Sequence, residues 1–105
     1  MNPRDKLPEI TRRIVQTCDP EKIILFGSYA RGTAHADSDV DLLIILPAIQ
    51  HQREESLRIR RALRGLMVPV DILLATTEQI ERLGDMPGLI YRTALREGKV
   101  LYERT

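Results

Sequence analysis

Ser38-Asp39-Val40-Asp41-Leu42-Leu43-Ile44-Ile45-Leu46 is an apolar run with two carboxylates at its entrance. Val40 to Leu46 reads as a central strand covered on both faces, since a half-solvated strand would alternate apolar with polar residues. Pro47 closes it. Successive side chains on a strand point to opposite faces, so Asp39 and Asp41 project from the same one. Two like charges that close repel each other unless a cation lies between them. A divalent metal is the usual occupant, and Mg²⁺ commonly uses one or two carboxylates together with substrate phosphates.

Upstream, Glu21 to Phe26 reads as a short strand rich in Ile and Leu. Gly27-Ser28 turns the chain, and Tyr29 to Gly32 is expected to form one helical turn. Gly27 permits close backbone approach and unusual dihedrals. Backbone N–H groups of a turn leading into a helical start point at anions, and the Ser28 hydroxyl adds a donor. Thr33 to Ser38 is a polar loop.

Downstream, Asp71 sits inside Val68-Pro69-Val70-Asp71-Ile72-Leu73-Leu74. A charge followed by three apolar residues is costly unless it is paired or metal-bound. If this strand lies beside the Val40–Leu46 strand, Asp71 completes a triad with Asp39 and Asp41. Three carboxylates and a phosphate-binding turn describe a two-metal phosphoryl-transfer site, in which paired ions clamp the attacking and leaving oxygens. The bland alternatives are a solvated turn for Asp39 and Asp41 and a buried acid paired with an arginine for Asp71. Asp37-x-Asp39-x-Asp41 also resembles the start of an EF-hand loop, but Leu42 stands where that loop needs Gly and Ala48 where it needs Glu.

The rest of the chain supports this frame. Leu7, Ile10, Ile14 and Cys18 recur at spacings of three and four, which predicts an amphipathic first helix, ended by Asp19-Pro20. His51 to Leu66 reads as a second long helix, with Gly65 near its end. Val68 to Ala75 is the third strand. Thr76-Thr77-Glu78-Gln79 predicts a capping box for a helix through Leu83. Pro87 is expected to open a further helix to Glu97, stopped by Gly98, and Lys99 to Glu103 adds a last strand. The order α-β-β-α-β-α-α-β predicts an α/β (α+β) fold, a mixed sheet of about four strands flanked by helices, in a single domain over residues 1–105. Arg53, Arg60, Arg61 and Arg64 form a basic stripe on the second long helix. It reads first as a solvated face, partly neutralised by a Glu54/Arg58 pair, and otherwise as a docking surface for an acidic partner or RNA. Arg31 suits either a phosphate contact or a scaffold tie to a carboxylate, and His35 reads as a surface histidine.

Composition narrows the partners. A net charge of +1 gives no global pull toward nucleic acid or an anionic membrane. Aromatics are only 4% of residues, too few for base-stacking platforms. Cys18 is the only cysteine, which leaves no internal disulfide and suits a reducing cytoplasm. The N-terminus lacks the apolar core of a signal peptide, and no run approaches a membrane span.

Gly27-Ser28, ten intervening residues and Asp39-Val40-Asp41 resemble the Gly-Ser-x10-Asp-x-Asp signature of nucleotidyltransferases in the DNA polymerase beta superfamily. The fuller strings, Gly-Ser-x-Ala-Arg-Gly and Ser-Asp-x-Asp-Leu, are similar to its small branch, the minimal nucleotidyltransferases (MNT). The resemblance implies a mixed sheet flanked by helices and transfer of a nucleoside monophosphate from ATP, with Mg²⁺, to an acceptor hydroxyl. It implies Asp39, Asp41 and Asp71 as metal ligands for two ions, with Asp71 also able to take the acceptor's proton, and Gly27 and Ser28 as the holders of the triphosphate. Stand-alone MNT proteins are similar to the antitoxins of HEPN/MNT pairs, so the implied partner is a HEPN ribonuclease toxin, adenylylated on a tyrosine in a hetero-oligomer. Two other functions stay open: an antitoxin that neutralises by binding alone, and a small-molecule enzyme resembling the aminoglycoside nucleotidyltransferases. The second would lack the helical domain that usually completes the acceptor pocket.

Overall fold

A computed structural model describes residues 3–35 and 37–105. Met1 and Asn2, within the segment compared with a signal peptide, and Ala36, in the polar loop, lie outside the described residues. After a single 3-10 turn at Pro3–Lys6 come helix α1 (Leu7–Cys18), strand β1 (Lys22–Phe26), the short helix α2 (Ser28–Arg31) and strand β2 (Val40–Leu46). Helix α3 (Gln52–Ala62), strand β3 (Val70–Thr76), helices α4 (Thr77–Leu83) and α5 (Ile90–Glu97) and strand β4 (Lys99–Glu103) follow. Apart from the opening 3-10 turn, the element order is the one that the sequence predicts.

The strands form one mixed sheet in the order β3-β2-β1-β4. β1 is antiparallel to both β2 and β4, whereas β2 and β3 are parallel. A parallel pair needs a crossover, and α3 supplies it. Being central, β2 is covered on both sides, and every one of its residues but Asp41 is buried. On one face Val40, Leu42, Ile44 and Leu46 pack with Ile10 and Ile14 of α1 and Ile59 of α3. On the other, Leu43 and Ile45 pack with Ala94 of α5, alongside Ile80 of α4. Each fully buried Ile or Leu contributes roughly 1.5–3 kcal/mol, so this strand is the framework on which the functional groups hang.

Several boundaries differ from the sequence reading, for local reasons. The second long helix stops at Ala62 rather than Leu66; the chain then runs through turns in which Gly65 takes φ 90°. The third strand begins at Val70, because Pro69 has no N–H to give a ladder; its carbonyl instead accepts from the Val40 amide at 2.9 Å. Pro87 does not open a helix. Leu83 to Leu89 is tied by 3.1 and 3.3 Å turn bonds (Met86 N–H to Leu83, Leu89 N–H to Met86), and α5 starts at Ile90. The capping box is present: the Gln79 amide donates to Thr76 Oγ1 at 3.1 Å and the Thr76 amide to Gln79 Oε1 at 2.8 Å. Among the described residues no helix is long and apolar enough to cross a membrane.

Candidate active site

Sheet register decides where the carboxylates meet. Asp41 faces Asp71 directly across the parallel β2/β3 pair, and Phe26, the last residue of β1, faces Asp41 on the other side. Adjacent strands run about 4.8 Å apart, so two residues in register present their side chains next to each other on one face. That face also carries Leu43, Ile45 and Ala75 beneath the helices α4 and α5. Asp39 lies two residues ahead of Asp41, where the Val40 amide bond to Pro69 ties the entrance of β2 to that of β3. The three aspartates named from sequence are thus brought to one end of the sheet.

Gly27 closes the site from the β1 side. It has φ 73° and ψ −154°, a region that L residues rarely adopt. A Cβ at this position would stand 2.1 Å from Asp41 Oδ2, so the glycine is there because the Asp41 carboxylate lies against its backbone. The following α2 starts at Ser28, and the first amides of a helix have no acceptor within it. Ser28 and Asp41 are therefore neighbours through Gly27. Tyr29, 4% exposed, anchors the turn: its carbonyl accepts from Arg4, whose guanidinium lies 5.5 Å from the centre of the Tyr29 ring.

The electrostatics mark the same spot. The Asp41 carboxyl is pushed above the ordinary aspartate range, first by partial burial and then by the charges of Asp71 and Asp39; Arg31 pulls weakly the other way. Arg31 pairs with Glu97 of α5 at 3.8 Å, which gives it the scaffold role and leaves it also in the field of Asp41. Asp71 is exposed rather than buried, so the desolvation cost suggested by its apolar neighbours in sequence is not incurred. His35 is exposed, accepting from the Asp37 amide, as a loop histidine does.

As donors, hard carboxylate oxygens around an excess of negative charge fit Mg²⁺. As spaced, no three His, Cys, Asp or Glu side chains among the described residues are gathered closely enough to hold an ion together. Repulsion among carboxylates favours such splaying, and a cation would relieve it. Beside Asp39 a groove of about 330 Å³ opens on the α3 side of the sheet, lined also by Arg60, Leu63, Val68, Pro69 and Val70. Arg60 was not foreseen beside Asp39. The two are distant in sequence, and only the crossover brings them together.

A mixed sheet with a Gly-Ser turn packed on one of two adjoining carboxylates is the frame of a nucleotidyl-transfer domain. The chain belongs to the nucleotidyltransferase domain family, whose profile matches residues 4–101. Two proteins of Methanocaldococcus jannaschii, each named "Putative protein adenylyltransferase", are 54% identical over 39 residues and 40% identical over 55 residues. These matches take in 37% and 52% of this chain, and 26% and 54% of the relatives' own length. A solved "toxin-antitoxin with AMP-PNP" superposes with a TM-score of 0.70 at 19% identity, over 94% of this chain and 74% of the other. At that identity the likeness is one of fold.

Proposed function

We propose that this chain is a Mg²⁺-dependent nucleotidyltransferase that moves AMP from ATP to a hydroxyl of a partner protein. We take the partner to be a HEPN-type ribonuclease toxin, the acceptor one of its tyrosines, and the setting the cytoplasm. The observation that carries the reading is the direct register of Asp41 with Asp71, with Gly27 packed on Asp41. In this reading the Gly27-Ser28 turn takes the triphosphate on one side of the carboxylates, and the acceptor approaches from the side of β3, an outer strand of the sheet. The names of the relatives and of the superposed toxin–antitoxin structure agree with an adenylyltransferase and a toxin partner.

In this reading Asp39, Asp41 and Asp71 hold the metal, two ions when fully loaded. Bound there, Mg²⁺ supplies neutralisation of charge on the phosphates and on the departing pyrophosphate. The chain does the rest. The amides at the start of α2 and the Ser28 hydroxyl hold the β- and γ-phosphates, fixing the direction in which pyrophosphate leaves. The acceptor oxygen attacks the α-phosphorus from the opposite side; the new P–O bond forms as the bond to pyrophosphate breaks. A tyrosine hydroxyl has a pKa of about 10 and needs help to lose its proton. In this reading Asp71, exposed at the start of β3, takes it.

The test incubates the purified chain with ATP labelled on the α-phosphate, Mg²⁺ and the protein encoded beside it. Label should pass to that protein's tyrosine with the native chain and fail to pass with Asp39→Ala. Absence of transfer, together with an Asp39→Ala chain that still silences the neighbour, would establish neutralisation by binding alone and sink the catalytic reading.

A further inference from the structure

The arginines of this protein divide into two groups. Each of those outside α3, Arg4 and Arg64 apart, lies within 4.0 Å of a carboxylate, and so does Arg58 inside it, which pairs with Glu55 rather than Glu54. Arg4 is engaged by Tyr29. Arg53, Arg60 and Arg61 on α3 and Arg64 just past its end have no ion pair among the described residues, and all four are exposed. Counting from Arg53, Leu57, Arg60 and Arg61 follow at i+4, i+7 and i+8, so they share one side of the helix, and Arg64 follows in the turn past its end. Ile59, on the opposite side, is fully buried.

A helix dipole explains part of this stripe and not the rest. Cations in the last turn are favoured, which suits Arg60 and Arg61; Arg53 stands in the first turn, where a cation is disfavoured. The stripe is also not purely polar. Leu57, 39% exposed, sits in its middle. Beyond its end Met67, 92% exposed, is held at φ 59°, a left-handed conformation rare for a residue with a side chain. The stripe leads into the groove in which Arg60, its Nη1 3.5 Å from the Val70 carbonyl, stands beside Asp39.

We propose that this face of α3 is the docking surface for an acidic amphipathic helix of the protein that brings the hydroxyl. The inference rests on the reading that the acceptor is a protein. Exposed guanidiniums without carboxylate partners among the described residues supply the charge complementarity, and they steer a partner of opposite sign. Leu57 and Met67 supply apolar anchors that a phosphate backbone would not use, and the stripe carries no aromatic side chain on which a base could stack. A partner seated here lies next to Asp39, so a segment of it needs only to pass the start of β3 to reach Asp71.

The test uses the full chain without nucleotide. The probe is a fluorescein-labelled peptide of about five helical turns, with glutamates in a matching stripe around two leucines. Its scramble of equal composition and an oligouridylate of equal charge serve as comparisons, all read by anisotropy. The amphipathic peptide should bind best, and Arg53→Glu, Arg60→Glu, Arg61→Glu and Arg64→Glu together should weaken it by about tenfold or more, the scale of reversing several exposed ion pairs. The corresponding four Arg→Gln changes, with circular dichroism to verify folding, should show a smaller loss in the same direction. Equal binding of peptide and scramble, tighter binding of the oligouridylate, or no loss in a folded variant would each overturn the proposal. Binding of Mg-ATP by the native chain, read separately with a fluorescent ATP, bears only on the nucleotide-transfer reading; either can fail alone.

Discussion

The two ends of β2 are built on opposite terms. At the Leu46 end polar groups are matched: Thr76 and Gln79 cap each other, the Thr77 hydroxyl donates to Glu21 Oε2 at 2.7 Å, and Lys22 pairs with Glu103 at 3.3 Å. At the Asp41 end like charges face each other across the sheet, a glycine sits at positive φ, and a carboxyl is pushed above its ordinary range. One strand spans both. The far end and the buried middle, from Leu42 to Leu46, hold the strand in place; the near end is held in an arrangement that it would not choose by itself. Stability and chemistry are thus segregated along the length of one strand, a division of the kind expected where a site is preorganised against local preference.

Removing a charge at the near end and a cap at the far end should therefore change stability with opposite signs. Asp41→Asn is expected to have the largest effect. Nucleotide transfer should fall by at least about 10²–10³-fold, the scale of losing one electrostatic stabiliser, while the metal-free protein melts at a higher temperature, because a repelled and partly buried charge has been removed. The folded Asp41 binds its proton more tightly than the unfolded chain does, so it favours folding at low pH. That contribution is lost as pH rises from the ordinary aspartate pKa of about 3.9 through the higher folded one. Asp41→Asn should flatten this part of the stability–pH curve, measured by urea unfolding without metal.

Gly27→Ala is expected next. It should lower transfer by a smaller factor and destabilise the fold, by roughly 1–3 kcal/mol for the strained backbone alone and more for the overlap with Asp41. Retained ATP binding with normal unfolding would break the claim that Asp41 rests on the Gly27 backbone. A third effect concerns the ion. Mg²⁺ at about a hundred times its dissociation constant should stabilise the native chain by about 2.7 kcal/mol, and should leave the double variant Asp39→Asn, Asp41→Asn unmoved in a thermal melt. The smallest effect belongs to the far end. Thr76→Ala should cost about 1 kcal/mol through the lost cap, with transfer unchanged in the folded fraction.

The same contrast explains what could be read in advance. The meeting of Gly27 and Asp41 was legible because strand periodicity and a turn act over a few residues, and local patterns survive in sequence; Asp39 precedes β2 and lines the groove on the α3 side, so the strand alternation that put it on one face with Asp41 does not reach it. The neighbourhood of Asp71 was only a condition, since nothing in Val68–Leu74 states which strand lies beside it or in what register. The parallel pairing supplies that, and it shows Asp71 exposed rather than buried. Pro87 misled because a proline fits a turn as well as a first helical residue. The arginine stripe was visible as spacing, but its lack of ion partners was not. Glu55 takes Arg58, a choice set by side-chain directions on the folded helix. Arg60 beside Asp39 left no mark in the sequence.

The crossover has a kinetic consequence. Asp41 and Asp71 stand thirty residues apart in the chain (71 − 41) yet in register in space, and the connection between them runs through α3. β1 and β2 join through a shorter stretch, so their antiparallel pairing closes the smaller loop. Contacts that close long loops form slowly. A chain caught part-way would then present Asp39 and Asp41 beside the Gly27 turn with no Asp71 opposite, able to attract a cation but not to complete the constellation. Catalytic competence should accordingly lag behind compaction during refolding, so the time at which activity returns becomes a clock for the closing of β2 on β3.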